Sequence, residues 1–316
     1  MKRLLLTALS VVLVGCQSQP TQFAIIGDNP YEVENYPRYD LMVQRINDSG
    51  ADWVIHLGDM KSGGSSCADE ELQRVFDINQ QFEIPFALTP GDNDWFDCER
   101  ESAGGFDRLE RLDKLREIFY SKPPALPIVS QSTSETYGDF VENVYWLDDQ
   151  VMFATVHLVG LDGSEGGVSL HLDVENAAIE WLNTLFDAAI AANAKGIFVA
   201  MHADIYPFSG DPGWLKFVCG ACAEVRPLYE RFHEALLAQS RRYTRPIMLA
   251  MGDTHIFRVD KPLYDNGKLV EHVTRVEGFG EDAVHWVRIE VHPDASDVFR
   301  VRQELIRDNV SGSGEE

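Results

Sequence analysis

Four separate apolar runs in this chain end in the same dipeptide, Gly-Asp. Phe23–Ile26 leads into Gly27-Asp28, Trp53–Leu57 into Gly58-Asp59, and Ile84–Leu88 through Thr89-Pro90 into Gly91-Asp92. Pro246–Met251 leads into Gly252-Asp253, and a fifth run, Gly196–Met201, ends at His202. Short apolar runs bounded by turn residues read as buried strands. In open α/β sheets the carboxyl ends of the strands border the ligand crevice. Five such ends would bring at least four carboxylates and a histidine to one edge. Glycine before each aspartate allows a sharp turn and a close backbone approach. A lone Gly-Asp is an ordinary turn or helix cap. Four at strand ends, with His202 and His255 nearby, point to a metal site, because crowded carboxylates repel unless a cation sits between them.

The segments between these runs have helical spacing. Leu41, Met42, Val43 and Ile46 mark a helix over 38–48, and a second is expected over 69–80. A third, 108–119, carries Leu109, Leu112, Leu115, Ile118 and Phe119. A long helix is expected over 174–193 and another near 224–239, with strands at Val144–Leu147 and Val151–Val159. From about 269 to 304 the chain alternates as strands. Helices and strands thus alternate through about residue 255 before strands take over, which implies an α/β layered fold with a mixed sheet or two packed sheets.

At the strand-end residues the sequence resembles the calcineurin-like metallophosphoesterase superfamily, over roughly residues 22–290. The family's blocks are Asp-x-His, Gly-Asp-x-x-Asp, Gly-Asn-His-Asp/Glu, a lone His and Gly-His-x-His. Asp28, Asp59, Gly91-Asp92-Asn93-Asp94, His202 and Gly252-Asp253-Thr254-His255 fall in register with them. The resemblance implies a four-layer α/β/β/α sandwich. It also implies one or two divalent ions, with Asp28, Asp59 and His255 holding the first and Asp59, Asp92, His202 and Asp253 the second. An all-oxygen-and-imidazole set suits Mn, Fe, Mg or Ca, with Zn also possible. Three family histidines are missing. Pro30 stands in the first block, Asn93 in the third and Asp253 in the last, while Asp92 replaces the third block's Asn. Asp substitutions keep ligand capacity, whereas Pro30 removes a ligand, so the first metal position is the weaker one.

The activity implied is hydrolysis of a phosphomonoester or phosphodiester by metal-activated hydroxide. Asp59 and Asn93 are the catalytic candidates. Asn93 could donate a hydrogen bond to a phosphoryl oxygen but cannot act as a general acid. Lys61 and the loop Ser62-Gly63-Gly64-Ser65-Ser66 could present positive charge and backbone N–H groups to the substrate anion. The same loop also reads as a flexible segment stapled by Cys67. The rival reading is a binding protein on this fold, impaired in catalysis and holding one metal or none. Lesser candidates are His56, expected in the core; Asp204, placed to orient His202 or lie on the surface; His272 and His285, which make only weak replacement acids; and Trp95, Phe96 and Trp214, expected to pack in the core with a substrate mouth as the lesser reading.

The N-terminus suggests export. Lys2-Arg3 precedes the apolar run Leu4–Val14, and Leu13-Val14-Gly15-Cys16 resembles a lipoprotein cleavage site. Residues 1–15 are expected to be a signal peptide, 16–21 the lipidated Cys16 and a tether, 22–306 the domain and 307–316 a disordered tail. Gln17 after Cys16 mildly favours the outer membrane, facing the periplasm. Four further cysteines in an oxidising compartment suggest Cys67–Cys98 and Cys219–Cys222 disulfides, although three pairings are possible. Cys219-Gly220-Ala221-Cys222 also allows a thiol oxidoreductase, a weaker reading without a thioredoxin-like βαβ start. The formal charge of −24 opposes binding to nucleic-acid phosphates, which leaves a small phosphoester and the membrane as expected partners.

Overall fold

The computed structural model describes residues 20–122, 124–160, 165–206 and 227–310. Its first sheet is built on three parallel strands, β1 (Gln22–Ile26), β2 (Val54–His56) and β3 (Phe86–Leu88). Between them lie helices α1 (Tyr36–Asn47) and α2 (Asp69–Asn79), and α3 (Arg108–Phe119) follows. These three helices sit close to their expected bounds. Asp107 caps α3 by accepting a hydrogen bond from the Glu110 amide.

The second sheet takes strands β4 (Val129–Ser130), β5 (Val144–Asp148), β6 (Val151–Thr155), β7 (Gly196–Ala200) and β8 (Ile247–Met251). Its crossovers carry helices α4 (Glu165–Ala191) and α5 (Glu230–Arg242). The chain then adds β9 (Arg258–Asp260), a small hairpin of β10 (Tyr264–Asp265) and β11 (Lys268–Leu269), and β12 (Val273–Glu277). Strands β13 (Trp286–Val291) and β14 (Phe299–Glu304) return to the first sheet. The five-stranded sheet has the order β14-β13-β1-β2-β3, and the seven-stranded sheet β4-β5-β6-β7-β8-β12-β9.

The central strands of both sheets are covered on both faces, which is why they read as continuous apolar runs. Alternate residues of β1 face opposite ways. Phe23 and Ile25 join Trp53, Phe153, Phe198 and Ile289 in the core between the sheets. Ala24 and Ile26 pack against Tyr39, Met42, Val43 and Ile46 of α1. On the far side Trp181, Leu182, Leu185 and Phe186 of α4 and Phe232 and Leu236 of α5 cover Met152, Ala154, Ile197, Val199 and Leu249. The architecture is therefore a four-layer α/β/β/α sandwich.

Three boundaries differ from the sequence reading. Helix α4 begins at Glu165 rather than 174, although Gly166 and Gly167 lower helix propensity there. Helix α5 begins at Glu230 rather than 224, preceded by a 3-10 turn at Pro227–Tyr229. The domain extends past 306, because buried Asn309 donates to the carbonyls of Arg38 and Val284. Cys67 and Cys98 form a disulfide. Cys16, Cys219, Cys222 and Trp214 lie outside the described residues.

Candidate metal centre

The topology brings five strand ends together. Asp28, Asp59 and Asp92 leave β1, β2 and β3 of one sheet, and His202 and Asp253 leave β7 and β8 of the other. The ligand atoms of Asp28, Asp59 and His202 lie within 4.8 Å of one another, as do those of Asp92, His202 and Asp253. The two trios share His202. His255 closes the first side, with its Nε2 3.5 Å from Asp28 Oδ1.

The local backbone shows why glycine precedes these aspartates. A Cβ on Gly91 would lie 2.0 Å from Asp59 Oδ1, and one on Gly252 2.7 Å from Asp28 Oδ2. Asp28, Asp59, Asp253 and His255 themselves adopt left-handed φ values of 53°, 55°, 73° and 63°. Such conformations cost energy in residues with a side chain and persist where the surroundings enforce them, often at functional sites.

Part of that enforcement comes from Asp94. Its carboxylate accepts the backbone N–H groups of Asp59, Met60 and Gly91 at 2.8–2.9 Å, tying the second Gly-Asp turn to the third. His56 does the same between the first and second: its Nδ1 accepts from Gly58 N, and its Nε2 faces the Asn29 carbonyl at 3.2 Å. Burial pushes the His56 imidazole down to about 4, so it is neutral in this role.

The electrostatics are those of a buried cluster with a surplus of negative charge. Burial, then the charges of neighbouring carboxylates, raises Asp59 well above the usual carboxylate range despite the opposing pull of His202. Burial would lower His202, but the charges of Asp59 and Asp92 and a hydrogen bond to Asp92 outweigh it and raise it well above an ordinary imidazole. The same contacts with His202 hold Asp92 low against its own burial. His202 Nδ1 points at the Leu57 carbonyl at 2.8 Å, which leaves Nε2 to face Asp92 Oδ1 at 2.9 Å and Asp59 Oδ1 at 3.5 Å. A backbone carbonyl that fixes one ring nitrogen is a common support for a metal-binding histidine. The donor set, its spacing and its surplus of negative charge all fit divalent cations.

Asn93 lies over Asp59: its backbone N–H donates to Oδ1 at 2.9 Å and its side-chain amide to Oδ2 at 2.6 Å. The site opens into a cleft of about 420 Å³ lined by Tyr31, Gly63, Gly64, Asn93, Asp97 and Arg100 together with Asp59, Asp92, Asp253 and His255. A larger cavity of about 800 Å³, lined by Phe76, Phe82, Phe86, Phe119 and other residues around α2 and α3, holds none of the strand-end ligands.

A sequence profile decides the family. The calcineurin-like phosphoesterase profile matches residues 21–257, well over half of the chain. The chain belongs to this family. Solved structures share its fold at low identity. A dimetal phosphatase from Danio rerio is 13% identical with a TM-score of 0.58, covering 91% of this chain and 96% of that one. A purple acid phosphatase from yellow lupin (Lupinus luteus) seeds is 12% identical with a TM-score of 0.54, covering 93% of this chain and 55% of that one. A 5'-nucleotidase from Candida albicans is 13% identical with a TM-score of 0.51, covering 92% and 52%. No curated protein sequence matches the chain.

Against this phosphoesterase frame, several expectations need correction. Lys61 does not reach the cleft. It is buried, and its ammonium donates to the carbonyls of Ser62 and Ser65, so it holds the loop from inside. The cation at the cleft is Arg100, paired with Asp97 at 2.6 Å. Asp204 does not orient His202. It is buried between Arg275, at 2.9 Å, and Arg258. Trp95 and Phe96 pack in the core as expected, and the Trp95 indole donates to His157. His272 faces the Ser240 carbonyl and His285 accepts from Ile306 N; neither lines the cleft.

Sequence reasoning missed Tyr31 and Arg100. Tyr31 is three residues after Asp28, and only the fold turns it into the cleft. Arg100 follows the disulfide cysteine Cys98 by two residues, and only the fold brings it to Asn93. A Cβ on Gly63 would lie 2.5 Å from Asn93 Oδ1 and 2.6 Å from an Arg100 nitrogen.

Proposed function

We infer that this protein is a metal-dependent phosphoesterase acting on a small or exposed phosphoester. The observation that carries the reading is the convergence of Asp28, Asp59, Asp92, His202 and Asp253 into two overlapping ligand groups sharing one histidine. His255 and these residues would hold one or two divalent ions, of which Mn and Fe suit the donors well. When bound, such ions polarise a phosphoryl oxygen and lower the pKa of coordinated water.

The chain's own residues supply the rest. Asn93, fixed by its contacts to Asp59, presents an amide to a phosphoryl oxygen. Arg100 offers a planar fork to the same anion across the gap left by Gly63. Replacing Arg100 with Ala is expected to lower kcat/KM by about 10–100-fold, chiefly through KM, because one charge-assisted contact is worth about 1.5–3 kcal/mol. Unchanged kinetics would remove Arg100 from substrate binding.

Asn93 cannot protonate a leaving group. A correctly placed general acid contributes about 10²–10⁴-fold, so turnover should depend steeply on leaving-group acidity. The test is a series of aryl and alkyl phosphoesters, assayed with Mn, Fe, Mg, Ca or Zn added to the metal-stripped chain. Metal-restored cleavage that favours aryl esters supports the reading. No cleavage under any metal would leave the binding-protein reading, to which Pro30 and Asn93 give the most support.

We further propose a location in the cell envelope through lipidation at Cys16. The support is the charged and apolar pattern of residues 2–14 and the buried Cys67–Cys98 disulfide, which suits an oxidising compartment. Among the described residues no helix is long and apolar enough to cross a membrane. Membrane fractionation of Cys16→Ser beside the parent checks this, with release into the soluble fraction expected.

A further inference from the structure

The turn after β8 carries two of the proposed ligands on strained backbone. Asp253 and His255 are both left-handed, with φ of 73° and 63°, and Thr254 stands between them. Two such residues so close together persist only where their surroundings hold them. The backbone supplies part of that hold. Gly252 N–H donates to the His202 carbonyl, Thr254 N–H to the Gly252 carbonyl and Asp253 N–H to the Asp28 carboxylate. The Thr254 hydroxyl supplies another part, because it donates to Glu277 Oε1. Glu277 is the last residue of β12 and lies level with Met251 in the parallel pairing of β12 with β8, so it stands beside the start of the turn.

Glu277 is itself anchored. It is fully buried and faces Arg258 across the antiparallel pairing of β12 with β9, and the Arg258 guanidinium pairs with both Glu277 and Asp204. Asp204, also fully buried, is held in turn by Arg275 at 2.9 Å, and Arg275 by Asp260 at 2.8 Å. Buried charges are costly to desolvate and often stabilise a fold no better than apolar side chains would. The last link of this set enters the ligand turn, which gives the set a use beyond stability. We propose that Thr254 and Glu277 are positioning residues for the metal centre: the relay from Asp204 through Arg258 and Glu277 to Thr254 fixes the turn so that Asp253 and His255 face the other ligands. The inference rests on the metallophosphoesterase reading above and concerns residues outside the ligand set. Asp204 acts here on the arginines and not on His202.

The test reads metal affinity on the full chain. The parent, Thr254→Val and Thr254→Ser are stripped of metal, melted in chelator, and, once the chelator is removed, titrated with Mn and with Zn by calorimetry. Valine keeps the branched shape and removes the hydroxyl, whereas serine keeps the hydroxyl. Thr254→Val is expected to bind these ions at least about tenfold less tightly, the loss typical of removing a partner that orients a ligand. Its metal-free melting temperature should stay near that of the parent, and Thr254→Ser should bind nearly as tightly as the parent. Unchanged affinity in Thr254→Val would overturn the inference while leaving the metal centre intact, and so would an equal loss in Thr254→Ser. A metal-free Thr254→Val chain that melts far below the parent would also overturn it, because the hydroxyl would then hold the fold and not the ligands. A parent chain that binds neither Mn nor Zn nor any other divalent ion would overturn the phosphoesterase reading and this inference with it.

Discussion

Replacing Asp59 with Asn is expected to lower metal-dependent turnover by at least about three orders of magnitude, while the metal-free protein stays at least as stable as its parent. Asp59 is central to the cluster. One oxygen faces His202 and accepts the Asn93 amide, and the other accepts Tyr31 and the Asn93 side chain. Asn lacks the charge needed to hold two ions, so loss of activity follows from loss of metal. In the metal-free chain the same charge is a burden, since burial and the neighbouring aspartates raise Asp59 well above its usual range. Removing it relieves that repulsion. Phosphoesterase turnover and thermal unfolding in chelator measure the two halves separately. A variant that loses activity but also melts far below the parent would mean that Asp59 is a structural anchor first.

The second large effect lies away from the metals. Glu142 is buried beside His157, at 2.6 Å, and Arg116, at 2.7 Å, and the Trp95 indole donates to the other His157 nitrogen. This chain of contacts links α3 to the second sheet beneath the segment that carries Asp92. Glu142→Gln is expected to destabilise the fold by about 3–5 kcal/mol, because it leaves a largely buried arginine with only the exposed Asp113 at 3.8 Å as counter-charge. The pH dependence has a definite sign. Burial would raise Glu142, but the hydrogen bond and charge of His157, with Arg116, hold it down at about 2 against the ordinary value of 4.5. Its contribution is therefore fully present above about pH 4.5 and is lost as pH falls toward 2. Urea unfolding across that window should show a shallower loss of stability in Glu142→Gln than in the parent. Equal slopes would show that Glu142 titrates alike in the folded and the unfolded chain.

The strand ends were legible because β1, β2, β3, β7 and β8 are largely buried on both faces and so read as apolar runs, and because the following glycine is required by contact distance. Gly91 and Gly252 leave no room for a Cβ against Asp59 and Asp28. What the sequence could not reveal was which loop side chains enter the cleft. Lys61 and Arg100 both sit near the site, and charge alone favoured Lys61, the nearer to Asp59 in sequence. The fold buries the lysine stem and turns its ammonium onto two carbonyls, whereas the loop after Cys98 carries Arg100 to Asn93. Loop direction has no period to read. Tyr31 was hidden for a related reason: the left-handed turn at Asp28 sets where the side chain three residues on will point, and nothing in the residue types announces it. Helix α4 starts earlier than its apolar spacing implies, because tertiary context overrides the low helix propensity of the glycines at 166 and 167.

The central claim is that the strand-end cluster holds metal. Metal equivalents per chain, measured on protein purified without chelator with Asp59→Asn alongside, test it most directly. Two equivalents in the parent, lost in the variant, is the result predicted here. No bound metal in the parent, even after Mn, Fe or Zn is restored, would contradict it and leave a phosphoesterase fold without its chemistry.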